Sequence, residues 1–438
     1  MSRQEGRGAS PGPFRQMAPV YTAVFLFASG EQALHVLISP YMTAGLGMQP
    51  AAIGTVVAVF GLAALASRFP VGAWYRIERA RGLLIAGGGL CSLAFVLVPL
   101  FPNPFGFASL MAIDGVGWSI QTTTLLALLV ASRPSGMTTA SAMGWFAGFT
   151  GLGNATAGWF AGALADTIGF HASFVALALI PAVATAVLVT AMPWPHIMGA
   201  AASARQQAAE RGTAPHATGL LQTVRGMPAV VWASVLVMFY INFVNNVLIA
   251  FHPILVLAAG LTLSQIGILS SCRSLASSTS RLVSGAVFAR VRPERLTTGL
   301  LLLGAIPLTI LPSVPGSFAW QVPFFLAVGV SRGFLRVTGS ALALEAVEGD
   351  ETRQGHTAAL LHAGLDTGKI VGPFFGGLVA GAIGVGAMFR LLPLVLVALY
   401  ALLRYQPWRA LGKRAPAVTE SDRAGTSNGR CGTWTSPS

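Results

Sequence analysis

Charge is the scarcest commodity in this sequence. Only 9% of its 438 residues are Asp, Glu, Lys or Arg, where a water-soluble chain carries about a quarter. A surface so poor in charge cannot face water on all sides. Cysteine is scarce as well. Cys91, Cys272 and Cys431 form neither a disulfide framework nor zinc-ligand spacing. No G-x-x-x-x-G-K-[ST] run occurs, so no P-loop engine is encoded here. The first eighteen residues are polar and basic, without a short apolar core or small-residue cleavage site, and no signal peptide is expected.

What is present is apolar: 54% hydrophobic residues and 51 glycines. Runs of about twenty apolar residues, each long enough to cross a bilayer as a helix, recur along the chain. The pattern predicts spans at 19–41, 50–70, 82–100, 105–130, 138–162, 171–192, 229–257, 264–288, 297–312, 319–346, 357–379 and 386–405. Alternate loops then differ sharply. One set holds Arg76, Arg79 and Arg81, then Arg133, then Arg205, Arg211 and Arg225, then Arg290, Arg292 and Arg295, then Arg353. The other set (41–49, 100–105, 163–171, 258–264, 312–318, 380–385) holds no lysine or arginine. Positive charge stays on the cytoplasmic side during insertion. Both termini are therefore expected in the cytoplasm, and the net charge of +13 reports topology, not nucleic-acid binding. Arg390, near the outer end of the last span, is the one misfit.

The spacing contains a repeat. Pro40 and Pro253 are 213 apart, as are Ile53 and Ile266, Arg68 and Arg281, and Gly72 and Gly285. Gly115 and Gly329 are 214 apart, as are Gly158 and Gly372, and Gly162 and Gly376. A constant offset over six spans predicts two similar six-helix halves, 19–192 and 229–405. They are joined by a polar, Ala/Pro/Gly-rich cytoplasmic linker, 193–228. Residues 1–18 form a cytoplasmic segment, and 406–438 a cytoplasmic tail expected to be disordered. The fold class is all-α membrane protein, with twelve transmembrane helices as two parallel repeats around a central cavity. Such repeats suit alternating access by rocking.

Two six-span halves with a basic loop after span 2 resemble the major facilitator superfamily, over about 17–406. That family's loop motif runs glycine, three residues, aspartate, arginine, then glycine and basic residues. Here Gly72 is followed by "AWYRIERAR", with Arg76 at the aspartate place and Arg79 at the second glycine. The arginine that the family's exporters carry before the span 4 Gly-x-Gly is Met111 here. The Gly-Pro-x-x-Gly-Gly of drug:proton antiporters is absent from span 5 but occurs in span 11 as Gly372-Pro373-Phe374-Phe375-Gly376-Gly377. The resemblance implies a transporter whose spans 3, 6, 9 and 12 lie at the periphery. It assigns Arg68, Gly72, Arg76, Arg79, Arg81, Arg281 and Gly285 to a cytoplasmic gate.

The buried ionisable set carries the most information. Glu31 lies in span 1, Asp114 in span 4, Arg273 in span 8, Arg332 and Arg336 in span 10, and Asp366 and Lys369 in span 11. Each charge at the bilayer centre costs roughly 2.5–3.5 kcal/mol. Seven facing lipid would cost on the order of 20 kcal/mol, so they must face one another or a wet cavity. Glu31 and His35 share one helix face, as do His362 and Asp366. Imidazole and carboxylate can chelate metals, but these pairs sit in different halves without cysteine, and an ion-pair or proton role is expected instead. Glu31, Asp114 and His35 are the proton-coupling candidates, because an acid whose ionisation depends on its neighbours can exchange a proton as the halves rock. Arg273, Arg332, Arg336, Asp366, Lys369, Asn242, Asn245, Asn246 and Gln121 are the substrate-binding candidates. Phe239, Tyr240, Phe243, Trp118 and Trp145 could stack an organic solute, although aromatics in spans more often pack. The stripe Gly364, Gly368, Gly372 and Gly376 reads as close helix packing. "GVSRG" at 329–333 fits the hydrolase pattern G-x-S-x-G, but that pattern needs a strand-to-helix turn and this one is mid-span.

The sequence therefore predicts a non-enzymatic secondary active transporter. It moves a small organic solute across the cell inner membrane by proton-coupled export (efflux of a drug or metabolite). Uptake of an organic anion is the second reading, and a membrane-embedded enzyme the third. The two-half repeat argues against a channel. No cofactor and no metal are expected. The expected partners are the solute, protons and the bilayer, and the expected state is a monomer.

Overall fold

The structure is a computed structural model. It describes residues 13–134, 137–195, 197–199, 226–288, 290–291, 293–347 and 351–405. Most of the expected N-terminal segment, the centre of the 193–228 linker and the 406–438 tail lie outside these residues. Among the described residues there is no strand.

Helix α1 spans Pro13–Pro40 and runs on as a wider turn over Tyr41–Gly45. Helices α2 (Pro50–Trp74), α3 (Ile77–Leu97) and α4 (Pro104–Ala131) follow. Proline opens α2 and α4, where its missing N–H costs nothing. Asn103 caps α4 by accepting from the Gly106 amide at 2.7 Å. The helical stretch Thr139–Ala191 breaks at Gly169, whose φ of 77° and ψ of 169° suit only glycine. It is treated as α5 (139–168) and α6 (170–191). Then come α7 (Ala229–Leu257), α8 (Leu263–Phe288), α9 (Pro293–Ile310), α10 (Phe318–Glu345), α11 (Glu351–Ile383) and α12 (Val385–Tyr405).

Two expected boundaries need correction. The loop expected at 163–171 is helical except for Gly169, because "LADT" and "FHAS" on either side continue the helix and one glycine makes the turn. Helix α11 begins at Glu351, six residues before the apolar run starts, because its first turns are polar.

Eight helices among the described residues are long and apolar enough to cross a membrane, with Ser141–Ala191 counted once. Helices α4, α8 and α11 are as long but fall outside that set. They carry Asp114, Arg273 with Arg281, and Asp366 with Lys369, and those residues lower their hydropathy. Helices α1 and α10 carry charge too, Glu31 and Arg332 with Arg336, and remain within the set.

Packing repeats along the chain. Helix α2 packs on α4 as α8 packs on α10, and α1 packs on α5 and α6 as α7 packs on α11. The register repeats too. A Cβ on Gly115 would collide with the Phe60 carbonyl, and one on Gly329 with the Arg273 carbonyl. Those two carbonyls are 213 residues apart. Among the described residues four glycines have positive φ: Gly47, Gly169, Gly260 and Gly384. All four lie in the arginine-free connections, again in pairs 213 and 215 apart.

Two contacts join the repeats closely. Helix α2 meets α11 where Gly54 faces the Pro373 carbonyl and Gly377. Helix α5 meets α8 where Gly158 faces Gly267, and Gly162 faces Leu263. Asp166 finishes the second contact, accepting from the Ser264 amide at 2.8 Å and hydroxyl at 2.5 Å. At the opposite, arginine-bearing end, a Cβ on Gly72, Gly144 or Gly148 would meet nothing within 4 Å. The repeats meet at backbone distance near the arginine-free end, and these three glycines at the other end have open space beside them. The stripe Gly364, Gly368, Gly372 and Gly376 faces the backbone and side chains of α7.

Candidate functional site

The buried acids come together at the centre. Glu31 (α1) and Asp114 (α4) are buried, as is Cys91 (α3). Their ligating atoms lie within 4.8 Å of one another. Sequence and local packing explain the approach. Gly115 draws α2 onto α4, and Gly117 draws α3 onto it through Gly87 and Cys91. Asp114, next to Gly115, is held where those helices converge. None of the four carboxylate oxygens has a hydrogen-bond partner among the described residues. His35 lies one turn along α1, its Nε2 3.9 Å from Glu31 Oε2. Glu31, Cys91 and Asp114 form a three-donor set of the kind that holds a tetrahedral ion completed by water. The ammonium of Lys369, close enough for its charge to interact with both acids, opposes a bound dication there.

Lys369 reaches across from α11. Its Nζ stands 3.9 Å from the Trp118 ring centroid and 4.2 Å from that of Phe60. No described carboxylate lies within ion-pairing distance of it. One turn earlier on α11, Asp366 accepts from Arg68 Nη1 of α2 at 2.7 Å. The Arg68 guanidinium also lies over the Trp118 ring, 5.4 Å from its centroid. Thus α2 reaches α11 with a cation, and α11 reaches back towards α1 and α4 with another.

A second polar region is basic. Arg273 of α8 is buried and donates to Asn245 Oδ1 of α7. Arg332, Arg336 and Arg281 lie near enough for their charges to interact. Asp366 is the carboxylate that interacts with Arg336, and it is already paired with Arg68. Gln32 of α1 bridges towards this region, donating to Ser270 of α8 at 3.3 Å.

Other expected site residues are occupied elsewhere. Gln121 donates to the Leu84 carbonyl at 3.1 Å and to Thr185 at 2.9 Å, tying α4 to α3 and α6. Asn242 donates to the Leu365 carbonyl, and Asn246 to the Asn242 carbonyl. His362 bonds the Ala358 carbonyl and makes no pair with Asp366. Ser331 of the "GVSRG" run is buried and donates to the Leu300 carbonyl on α9. Of the gate set, Arg68 pairs with Asp366, Arg281 joins the basic region, and Gly72, Arg76, Arg79 and Arg81 are exposed at the arginine-bearing end. Gly285 lies on α8. Phe60 and Cys91 were not singled out from sequence. The signal for Phe60 was its place 213 residues before Arg273. A concavity of about 480 Å³ beside Tyr41, Phe170 and His171 is lined by none of the buried charges.

Comparison with known proteins agrees with this architecture. An uncharacterized MFS-type transporter of Mycobacterium tuberculosis (strain CDC 1551 / Oshkosh) is 33% identical over 147 residues. A second, from strain H37Rv, matches equally. The matched stretch is 33% of this chain and spans about a third (35%) of those relatives' length. The fold resembles the crystal structure of the nucleoside transporter NupG, with TM-score 0.72 at 13% identity, over 89% of this chain and 99% of that one. It also resembles an inward-facing bacterial homolog of the human lysosomal transporter Spinster, with TM-score 0.63 at 14% identity, over 90% and 93%. Residues 20–353 match the family described as Major Facilitator Superfamily. A helical bundle with charges gathered between two repeating sets of helices is how such membrane transporters are built, and this chain belongs to the Major Facilitator Superfamily.

Proposed function

We propose that this transporter couples the movement of a small organic solute to protons, and that its working direction is export of a drug or metabolite. Residues 19–192 and 229–405 are the two moving halves. Both termini face the cytoplasm of a cell whose inner membrane holds the protein. The linker 193–228 lies on the same side, and the working unit is a monomer.

One observation carries the coupling reading. Two buried carboxylates, Glu31 and Asp114, sit side by side without hydrogen-bond partners. They face a cation supplied by the other repeat. Two close carboxylates resist being ionised together, so a shared proton is the natural way to relieve them. Moving Lys369 changes how firmly that proton is held. Rocking the halves moves Lys369, and so links proton release to the solute's path. Glu31 is the primary carrier and Asp114 its partner, with His35 able to relay at 3.9 Å.

The arginine-free side is the outer side in this topology. The glycine contacts and the Asp166 cap then close the outer end, and the conformer opens inward. A second reading, uptake of an organic anion, draws on the basic region. There Arg273, Arg281, Arg332 and Arg336 face one carboxylate that is already paired.

Reconstitution in liposomes tests the proposal. Under an imposed pH gradient, solutes are screened for accumulation, and the gradient's sign reports direction. Glu31→Gln should keep solute exchange and lose pH-driven accumulation. If Glu31→Gln still accumulates solute and Asp114→Asn does not, the carrier is Asp114. If both accumulate normally, the coupling site lies elsewhere.

A further inference from the structure

We propose that Phe60, Trp118, Glu31 and Asp114 form a binding site for an ammonium group of the transported solute, a site that Lys369 fills in this conformation. The proposal rests on the transport reading above and names one end of the cargo.

The chemistry is that of a cation box. The faces of Phe60 and Trp118 both meet the Lys369 ammonium, at 4.2 and 3.9 Å from their centroids. Two aromatic faces and a nearby acid are what recognise ammonium groups. The acids are close enough to interact with that ammonium by charge, and they are buried with no hydrogen-bond partner. A lysine placed there only to neutralise them would sit on a carboxylate. Lys369 instead rests on the rings, as a ligand's ammonium would, and leaves the carboxylate oxygens unengaged. It is also tethered to the opposite repeat, so any motion separating α11 from α2 and α4 withdraws it and empties the box. Trp118, His35 and Lys369 are each only half-buried, so the box has an open side.

The repeat supplies the second argument. Phe60 occupies the position 213 residues before Arg273, and Trp118 the position 214 before Arg332. At the 213 offset of its own helix Glu31 stands opposite Val244, next to Asn245, the residue that Arg273 bonds. Corresponding places in the two repeats thus hold an aromatic pair with acids on one side and an arginine pair on the other. A solute path passing both places would be polarised across its width. It fits a solute with an ammonium at one end and an anionic group at the other, a zwitterion.

Binding to the purified full chain tests this without any flux. Three probes of similar shape are compared: tetramethylammonium, pivalate and trimethylglycine. Lys369→Met removes the resident charge but keeps the bulk of its stem. Tetramethylammonium should bind Lys369→Met about tenfold or more tightly than the wild type. Adding Trp118→Leu should abolish that gain and leave pivalate binding unchanged. Trimethylglycine should weaken with either Trp118→Leu or Arg332→Gln. If Lys369→Met does not purify as one species, Lys369→Gln carries the same expectation. No gain in a well-folded Lys369 variant, or a gain that survives Trp118→Leu, would overturn the box. Ammonium binding in a protein that moves no solute would remove the transport reading and leave the site. Counterflow of solutes with no ammonium preference in transport or binding would do the reverse.

Discussion

The Arg68–Asp366 pair should hold α2 against α11, and the amount can be worked out. The two atoms are 2.7 Å apart, and the side chains are 29% and 16% exposed. A hydrogen bond between charged groups contributes about 1.5–3 kcal/mol. Partial exposure lowers that, because water competes for both groups. About 1–2 kcal/mol remains. The pair joins α2 to α11 and must break if those helices part. Removing it should therefore shift the ratio of conformers by about 5- to 30-fold. Arg68→Gln also loses the contact with Trp118 at 5.4 Å, so a single variant overstates the pair. A double-mutant cycle with Asp366→Asn cancels that extra loss. Spin labels at Gly72→Cys on α2 and Ala359→Cys on α11, both exposed, report the separation, with Cys272 and Cys431 replaced by serine. Each single variant should broaden the distance distribution, and the double variant should add almost nothing further. Additive effects, with coupling below about 0.3 kcal/mol, would refute the argument.

Gly267→Val should cost about 1–3 kcal/mol, because its side chain would meet the Gly158 backbone. A lowered melting temperature, or a shift to a form open at that end, would register it, and wild-type behaviour in both would count against the contact. Arg273→Lys and Arg332→Lys keep the charge but lose the planar fork of donors. An anionic solute should bind each about tenfold more weakly, and unchanged affinity in both would remove the anion end of the cavity. A cytoplasm-active reporter should give signal after Arg404 and none after Asp166; signal at Asp166 would invert the topology.

The helices and their repeat could be read from sequence because both leave periodic traces. Arg68 and Arg281, or Gly115 and Gly329, keep their spacing wherever the chain folds. The gathering of charge near the middle was legible for a related reason: isolated charges in lipid are too costly to scatter. Partner choice was not legible. Arg68 was placed at a gate and Asp366 at the substrate, and only the fold brings them together across 298 positions. Cys91 gave no sign of its acidic neighbours, since its place depends on how Gly117 seats α3 on α4. Gln121 shows the converse. Its polarity suggested a solute; its Nε2 instead donates to Thr185 and the Leu84 carbonyl, and its Oε1 has no partner among the described residues. A break was expected over 163–171, but its shrinking to the single residue Gly169 was not legible, because hydropathy reads the length of an apolar run, not the φ of one glycine.

That break has a mechanical consequence. Helices α5 and α6 are joined through Gly169, and α11 and α12 through Gly384. A joint one residue long has no slack, so a helix tilted at an inter-repeat contact drags its neighbour with it. Helix α5 covers 139–168, about 45 Å at 1.5 Å per residue. Pivoting by roughly 10° about the glycine contact at Gly158 and Gly162 would swing its far end by about 5–6 Å. Helices α5 and α11 therefore act as levers with their fulcrum at one face of the bundle. A displacement too small to part the glycines at the fulcrum becomes, at the other face, an opening the width of a small organic molecule.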